Sequence, residues 1–142
     1  MPGNVFVSLT VFIVMNSEEA YLVDALVLLA EVYPQPLTVA EIARRRAIPA
    51  PFLGRLLAAA SRRGVVTTER GRRGGVRLAD PPDRIVAAAL LDGGTAVTRG
   101  GPAARWLAGE LRRVRSALLA GITLVDLRER ERAETEALSW EV

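Results

Sequence analysis

The 142-residue chain contains no cysteine and no histidine. Disulfides are therefore excluded, and cysteine usage says nothing about the redox compartment. The usual ligands of zinc and of iron–sulfur clusters are missing, as are the serine–histidine and cysteine–histidine pairs of hydrolases. Oxygen-donor metals stay chemically open, but no run of acids has the spacing of a calcium loop. Lysine is absent too, so all 19 basic residues are arginines. Any acid–base chemistry would rest on Asp, Glu or Tyr alone, and no acidic cluster suits the metals of a nuclease, so an enzyme is not expected. Aromatic residues make up only 5% of the chain, while alanine and leucine abound, a balance that favours helices.

Half of the residues are apolar, enough for the core of one domain. The net charge of +3 conceals a split. Residues 36–80 hold ten arginines against three acids, a local +7, and the remaining residues hold nine against thirteen. Arginine forks onto phosphate oxygens and guanine edges, so this concentration points to a nucleic-acid partner.

Residues 1–16 read as an apolar extension. The stretch VFVSLTVFIVM (5–15) is too short to span a bilayer as a helix and lacks the leading basic region and cleavage site of a signal peptide. "MNSEE" from Met15 has the look of a natural N-terminus, so residues 1–14 are expected to lie upstream of the true start. The alternative is a strand or helix packed on a partner.

Ser17 is expected to cap a helix over AYLVDALVLLAEVY (20–33), apolar on nearly every side and hence buried. Pro34 and Pro36 stop it. Thr38 and Glu41, at capping-box spacing, open a short second helix, TVAEIARRR. After a tight turn comes a third, PAPFLGRLLAAASRRG (49–64), with Pro51 in its first turn, a core stripe of Leu53, Leu56, Leu57 and Ala60, and Gly64 as its stop. VVTTER and GVRLAD read as two strands around a glycine–arginine loop. Helix, helix, turn, helix, hairpin is the order of a winged helix-turn-helix. The fold is therefore expected to be mainly α with a small β-hairpin wing (α+β), with residues 17–80 as the DNA-binding domain.

PPDRIVAAALLDGG (81–94) predicts a short fourth helix, and residues 81–101 join it to a loop. Residues 102–142 form the last unit. A long helix over 102–120 carries Leu107, Leu111, Val114 and Leu118 on one stripe, and Gly121 breaks it. Thr123 and Asp126 restart a helix whose charged tail is expected to be solvated and to fray.

These segments, in this order, resemble the Rrf-two family of bacterial winged-helix regulators, the group of IscR, NsrR and CymR. YLVDALVLLAE is similar to the family's first helix. The stretch from LTVAEIARRR to ERGRRGGVRLAD is similar to its helix-turn-helix and wing, and GITLVDL to the segment closing its dimerisation helix. Members that sense through an iron–sulfur cluster place cysteines before the long helix. Here that loop is DGGTAVTRGGPAARW, shorter and without a ligand, so the chain resembles the cluster-free branch and no cofactor is expected. Other departures are Glu18, Glu19 and Asp24 where the family's first helix is basic, Ala47 in place of the turn glycine, and Pro49-Ala50-Pro51 opening the third helix.

The resemblance implies a homodimeric, sequence-specific DNA-binding transcriptional regulator, a repressor, working in the cytoplasm on an inverted-repeat operator. It matches Arg70 to the arginine that enters the minor groove, where a narrow groove attracts a guanidinium. Gly71 and Gly74 shape the hairpin, and Arg72 and Arg73 lie near phosphate. The same loop alone also fits a solvated hairpin. On the third helix Ala50, Pro51, Gly54 and Arg55 point outward, where residues at such a helix's start meet base edges. Gly54 fits either close approach to DNA or a slack surface position. Thr38, Arg44 and Arg45 are the phosphate candidates of the second helix. Three consecutive arginines fan over ~300° of a helix at ~100° per residue, so not all can face DNA. Arg62 and Arg63 are phosphate candidates too, but their place at a helix C-terminus, where cations are favourable, is the leading explanation for them.

Trp106, Leu107, Leu111, Val114 and Leu118 are the expected dimer interface. The competing reading is a winged-helix interaction module that has lost specific DNA binding. The effector is left open: a small molecule, a partner protein, or none.

Overall fold

The computed structural model describes residues 15–91 and 100–140. The expectations for residues 1–14 and for most of the glycine-rich loop fall outside the described residues. Among the described residues, five α-helices and one hairpin follow in the order α1 (Ser17–Val32), α2 (Val39–Arg46), α3 (Ala50–Arg62), β1 (Val66–Glu69), β2 (Gly75–Leu78), α4 (Pro102–Ala120) and α5 (Leu124–Trp140). This is the winged helix-turn-helix with a long C-terminal helix that the pattern predicts.

The cap of α1 is Asn16 rather than Ser17, which is the first helical residue. The Asn16 carboxamide accepts from the Glu19 N–H at 2.8 Å, and the Glu19 carboxylate accepts from the Asn16 N–H at 3.1 Å. This reciprocal box satisfies two of the donors that a helix start leaves unpaired. Both residue types cap well, and the Glu three places on selects Asn16. Six consecutive residues of α1, Ala25 to Ala30, are buried. Over this stretch the helix is covered on all sides, as its lack of a polar face there demands, while Ser17, Glu18 and Asp24 before it stay exposed.

The largest fully buried side chains are Leu26, Leu29, Ile42, Leu53, Leu78, Leu90, Leu124 and Val66. They come from α1, α2, α3, both strands, the segment after the wing and the start of α5. Each buried leucine is worth about 1.5–3 kcal/mol over its exposed state. Leu56, expected in the α3 stripe, is only half-buried; Leu53, Leu57 and Ala60 carry the core contact.

β1 and β2 pair antiparallel, with Val66 opposite Leu78 and Glu69 opposite Gly75. Leu37 adds a third, one-residue rung. Its N–H donates to the Val76 carbonyl at 2.9 Å, and the Val76 N–H returns a bond to the Leu37 carbonyl at 2.7 Å. Gly75 makes this approach possible: its φ is +155°, and a Cβ there would strike the Leu37 carbonyl. The wing is thereby tied to the turn between α1 and α2.

The expected fourth helix does not form. Residues 82–84 and 87–89 are two short 3₁₀ turns. The Ala87 N–H donates instead to the Ile122 carbonyl at 2.7 Å, and the Leu124 N–H donates to the Ile85 carbonyl at 2.9 Å. These tertiary bonds claim the backbone groups that a helix would use, and they override the helix preference of the alanines.

α5 also departs from expectation, because its first turns are anchored rather than frayed. Its cap is as predicted, with Thr123 Oγ1 accepting from the Asp126 N–H at 3.2 Å and the Asp126 carboxylate accepting from the Thr123 N–H at 2.8 Å. Beyond it, Arg128 donates to the Ala30 carbonyl at 3.2 Å, Arg132 clasps Glu31 at 2.6 and 3.0 Å, and Glu131 receives Arg46 of α2. α5 therefore lies against the end of α1.

Candidate nucleic-acid interface

Two helices and the wing carry the predicted contacts. α2 opens at Thr38, whose hydroxyl accepts from the Glu41 N–H at 3.1 Å. The Glu41 carboxylate turns to the arginines: Arg44 reaches it at 2.7 Å and Arg45 at 2.7 Å. These two hydrogen bonds hold the Glu41 carboxyl below its ordinary pKa, the Arg44 bond contributing most. Arg46 points the other way, forking onto Glu131 at 2.5 and 2.9 Å, and this bond raises its pKa. One of the three consecutive arginines is thus structural, while Arg44 and Arg45 stay on the surface.

The turn into α3 is made by Ala47, at φ 52° and ψ 44°. This left-handed conformation costs a residue with a Cβ roughly 1–2 kcal/mol, and glycine takes it freely. The turn closes with the Ile48 N–H donating to the Ala43 carbonyl at 3.0 Å, and Ile48 is buried beneath it.

α3 starts after Pro49 and presents Ala50, Pro51, Arg55 and Ala58 to solvent, with Gly54 half-buried among them. A Cβ on Gly54 would meet nothing within 4 Å, so no intramolecular contact requires glycine there. The Arg55 guanidinium lies over the Phe52 ring, 5.3 Å from its centroid. Phe52 in turn meets Tyr21 of α1 edge-on at 5.6 Å. A cation–aromatic contact at an exposed site is worth ~0.5–1 kcal/mol and narrows the directions the guanidinium takes. The sequence reading passed over this Tyr21–Phe52–Arg55 stack. Its one local signal is the aromatic three residues before the arginine, on the same helix face.

The wing tip is closed by the Gly74 N–H donating to the Gly71 carbonyl at 3.0 Å. Gly71 has φ +110°, and a Cβ on Gly74 would collide with the Glu69 carbonyl, so both positions need glycine. Glu69 pairs across the hairpin with Arg77 at 2.7 Å. Arg70, Arg72 and Arg73 are exposed and carry no ion pair among the described residues. The wing spends its single acid on its inner arginine and leaves three outer cations uncompensated.

α4 is a different surface. It has no buried residue over its 19 positions. Trp106, Leu107, Leu111, Val114 and Leu118 are 68, 52, 64, 62 and 65% exposed. Such a contiguous apolar stripe marks a contact surface. Arg115, one turn after Leu111 at the edge of the stripe, reaches Glu19 at 3.4 Å and ties the helix to the cap of α1.

Residues 15–97 match the family model Rrf2, described as an iron-dependent transcriptional regulator. The chain belongs to the Rrf2 family. That family consists of transcriptional regulators, not enzymes. A Synechocystis sp. protein (strain ATCC 27184 / PCC 6803 / Kazusa) with the provisional name HTH-type transcriptional regulator slr0846 is 45% identical over 56 residues, 39% of this chain and 38% of that protein. An Aquifex aeolicus (strain VF5) protein of the same provisional type is 43% identical over 65 residues, 46% of this chain and 45% of that protein. The match thus spans less than half the length of either relative. Among solved structures, IscR of T. potens superposes with a TM-score of 0.68 at 24% identity, over 81% of this chain and 85% of that one. CymR of B. subtilis, titled the global cysteine regulator, gives 0.66 at 25% identity, over 80% and 95%. These structural likenesses establish the fold.

The iron in the description of Rrf2 proteins does not fit the donors of this chain. Protein-bound clusters are held by cysteine thiolates, with histidine as the common substitute, and the sequence has neither. Among the described residues no three acidic side chains gather as an oxygen-donor alternative.

Proposed function

We propose that this protein is a homodimeric, sequence-specific DNA-binding transcriptional regulator, acting as a repressor in the cytoplasm without an iron–sulfur cluster. The observation that carries the reading is the wing: three ion-pair-free arginines on a hairpin whose glycines fix its shape. Electrostatic attraction to phosphate supplies most sequence-independent affinity for DNA. In this reading Arg70 enters the minor groove and Arg72 and Arg73 lie along phosphates. Gly71 and Gly74 keep the hairpin narrow. Arg55, steadied by Phe52, reads a base edge in the major groove, with Ala50 and Pro51 offering apolar contact and Gly54 leaving room for the duplex. Thr38, Arg44 and Arg45 bind phosphate beside it. Trp106, Leu107, Leu111, Val114 and Leu118 meet the same stripe of a second copy. A two-fold dimer places its reading helices about one DNA turn apart, which calls for an inverted repeat.

The test is fluorescence anisotropy of the full chain on its own upstream DNA and on a random duplex, across a salt series. Specific binding that falls steeply with salt is expected. Arg70→Ala and Arg55→Ala should each weaken the specific duplex by about 1–3 kcal/mol, and Arg55→Ala should also relax base preference at one position. Equal weak binding to both duplexes, unchanged by either substitution, would replace this reading with a winged-helix module that binds protein.

A further inference from the structure

A cavity of about 350 Å³ lies between the start of α1 and the end of α3. Leu22, Leu56, Ala59 and Leu90 line it with apolar surface, and its charged lining is Glu18 and Glu19 from α1 with Arg62 and Arg63 from the end of α3. Leu22 and Leu90 belong to the buried core, so the hollow opens onto the molecule's own packing. Its volume is that of the smaller ligand pockets, which commonly hold 300–1,000 Å³.

Between its helices the chain closes arginines onto acids in Arg46–Glu131 and Arg132–Glu31. The side chains of Glu18 and Arg62, like those of the wing arginines, have no hydrogen bond or ion pair among the described residues. Each sits at the helix end whose dipole favours its charge. That accounts for each residue at its own helix, but not for both flanking one apolar hollow. An acid and a guanidinium beside an apolar floor are complementary to a molecule with an ammonium, a carboxylate and an apolar body.

We infer that this cavity is a binding site for a free α-amino acid with an apolar side chain. The carboxylate accepts from Arg62, the ammonium donates to Glu18, and the side chain lies on Leu22, Leu56, Ala59 and Leu90. The ligand bridges α1 and α3. Glu19, which also lines the cavity, serves the α1 cap and holds Arg115 of α4. A bound amino acid therefore touches the last turn of α3 and adjoins the contact that joins α1 to α4. Its regulatory meaning rests on the DNA-binding reading above; the binding itself does not.

The test is a thermal-shift screen of the full chain against each of the twenty standard amino acids at millimolar concentration, followed by calorimetry on those that raise Tm. Apolar members of the leucine, methionine and phenylalanine kind should raise Tm; glycine, aspartate and lysine should not. Arg62→Ala and Glu18→Gln should each weaken binding about tenfold or more, the usual worth of a charge-assisted hydrogen bond, with circular dichroism unchanged. The methyl ester and the N-acetyl derivative of the bound amino acid should lose affinity to a similar degree. No shift with any amino acid would overturn the assignment, as would equal affinity in both variants. DNA anisotropy with and without the amino acid keeps the two readings apart. Binding of the amino acid by a protein that ignores DNA would remove the regulator and leave the site, and specific DNA binding with no response to any amino acid would do the reverse.

Discussion

α3 and α4 carry the same kind of pattern and meet opposite fates. Both are amphipathic, with leucines three and four residues apart. In α3 Leu53 and Leu57 are buried, covered by α1, α2 and the wing. In α4 Leu107, Leu111 and Leu118 face outward along the whole helix. Periodicity announces that a helix has an apolar face; it does not say whose surface will cover it. The winged half closes on itself, while the long helix presents an apolar surface that no other described residue covers.

Substitutions can break this contrast in order of effect. Leu53→Ala should cost roughly 3–5 kcal/mol of unfolding free energy, because it removes a fully buried side chain and leaves a cavity; urea denaturation followed by circular dichroism measures it. Leu111→Glu should leave the helical signal of the winged half intact and reduce the mass in solution to that of one 15.3 kDa chain, read by light scattering after size exclusion. If the wild-type protein already has the single-chain mass, the dimer reading fails at that step. Ala47→Gly relieves the left-handed turn between α2 and α3 but frees the unfolded chain, so a net gain of up to about 1 kcal/mol is expected. A loss would mean that the turn is less strained than its φ indicates.

The smallest effect is a pH dependence at the cap of α5. The Thr123 N–H, and then its hydroxyl, donate to the Asp126 carboxylate and hold its pKa below the usual value. A depressed folded-state pKa adds stability above the unfolded value, near 3.9, and that stability is lost as pH falls through the folded value. Asp126→Asn should therefore lower Tm slightly at neutral pH, leave the acid end unchanged, and so flatten the acid limb of a Tm-against-pH curve.

Much of the fold was legible because it is written locally. Thr38, Pro51 and the Thr123–Asp126 pair mark helix ends by chemistry that acts within one turn, and the glycines of the wing mark a hairpin in the same way. What escaped was non-local. The alanines of 87–89 favour a helix, yet Ala87 answers to Ile122, 35 positions on. The alternating charges of α5 read as a solvated surface, yet Glu131 and Arg132 find partners at Arg46 and Glu31. Sequence spacing alone does not distinguish an arginine that reaches solvent from one that reaches a distant glutamate. The candidate interface was legible for a related reason: its residues are exposed, and exposure follows from helix phase and turn position. The stack beneath Arg55 was not, since it needs Tyr21 from another helix.

The clasp of Arg44 and Arg45 on Glu41 has a consequence for how tightly DNA is held in different media. A cation that meets phosphate usually frees mobile ions from the nucleic acid, and their dilution in the surrounding solution drives binding. Here two guanidiniums arrive already neutralised in part by a carboxylate bonded into the same chain. That carboxylate cannot drift away, so each arginine gains less from docking than a bare one. On the DNA-binding reading proposed above, this clasp is a brake on promiscuous adhesion, and the bare arginines of the wing supply the grip.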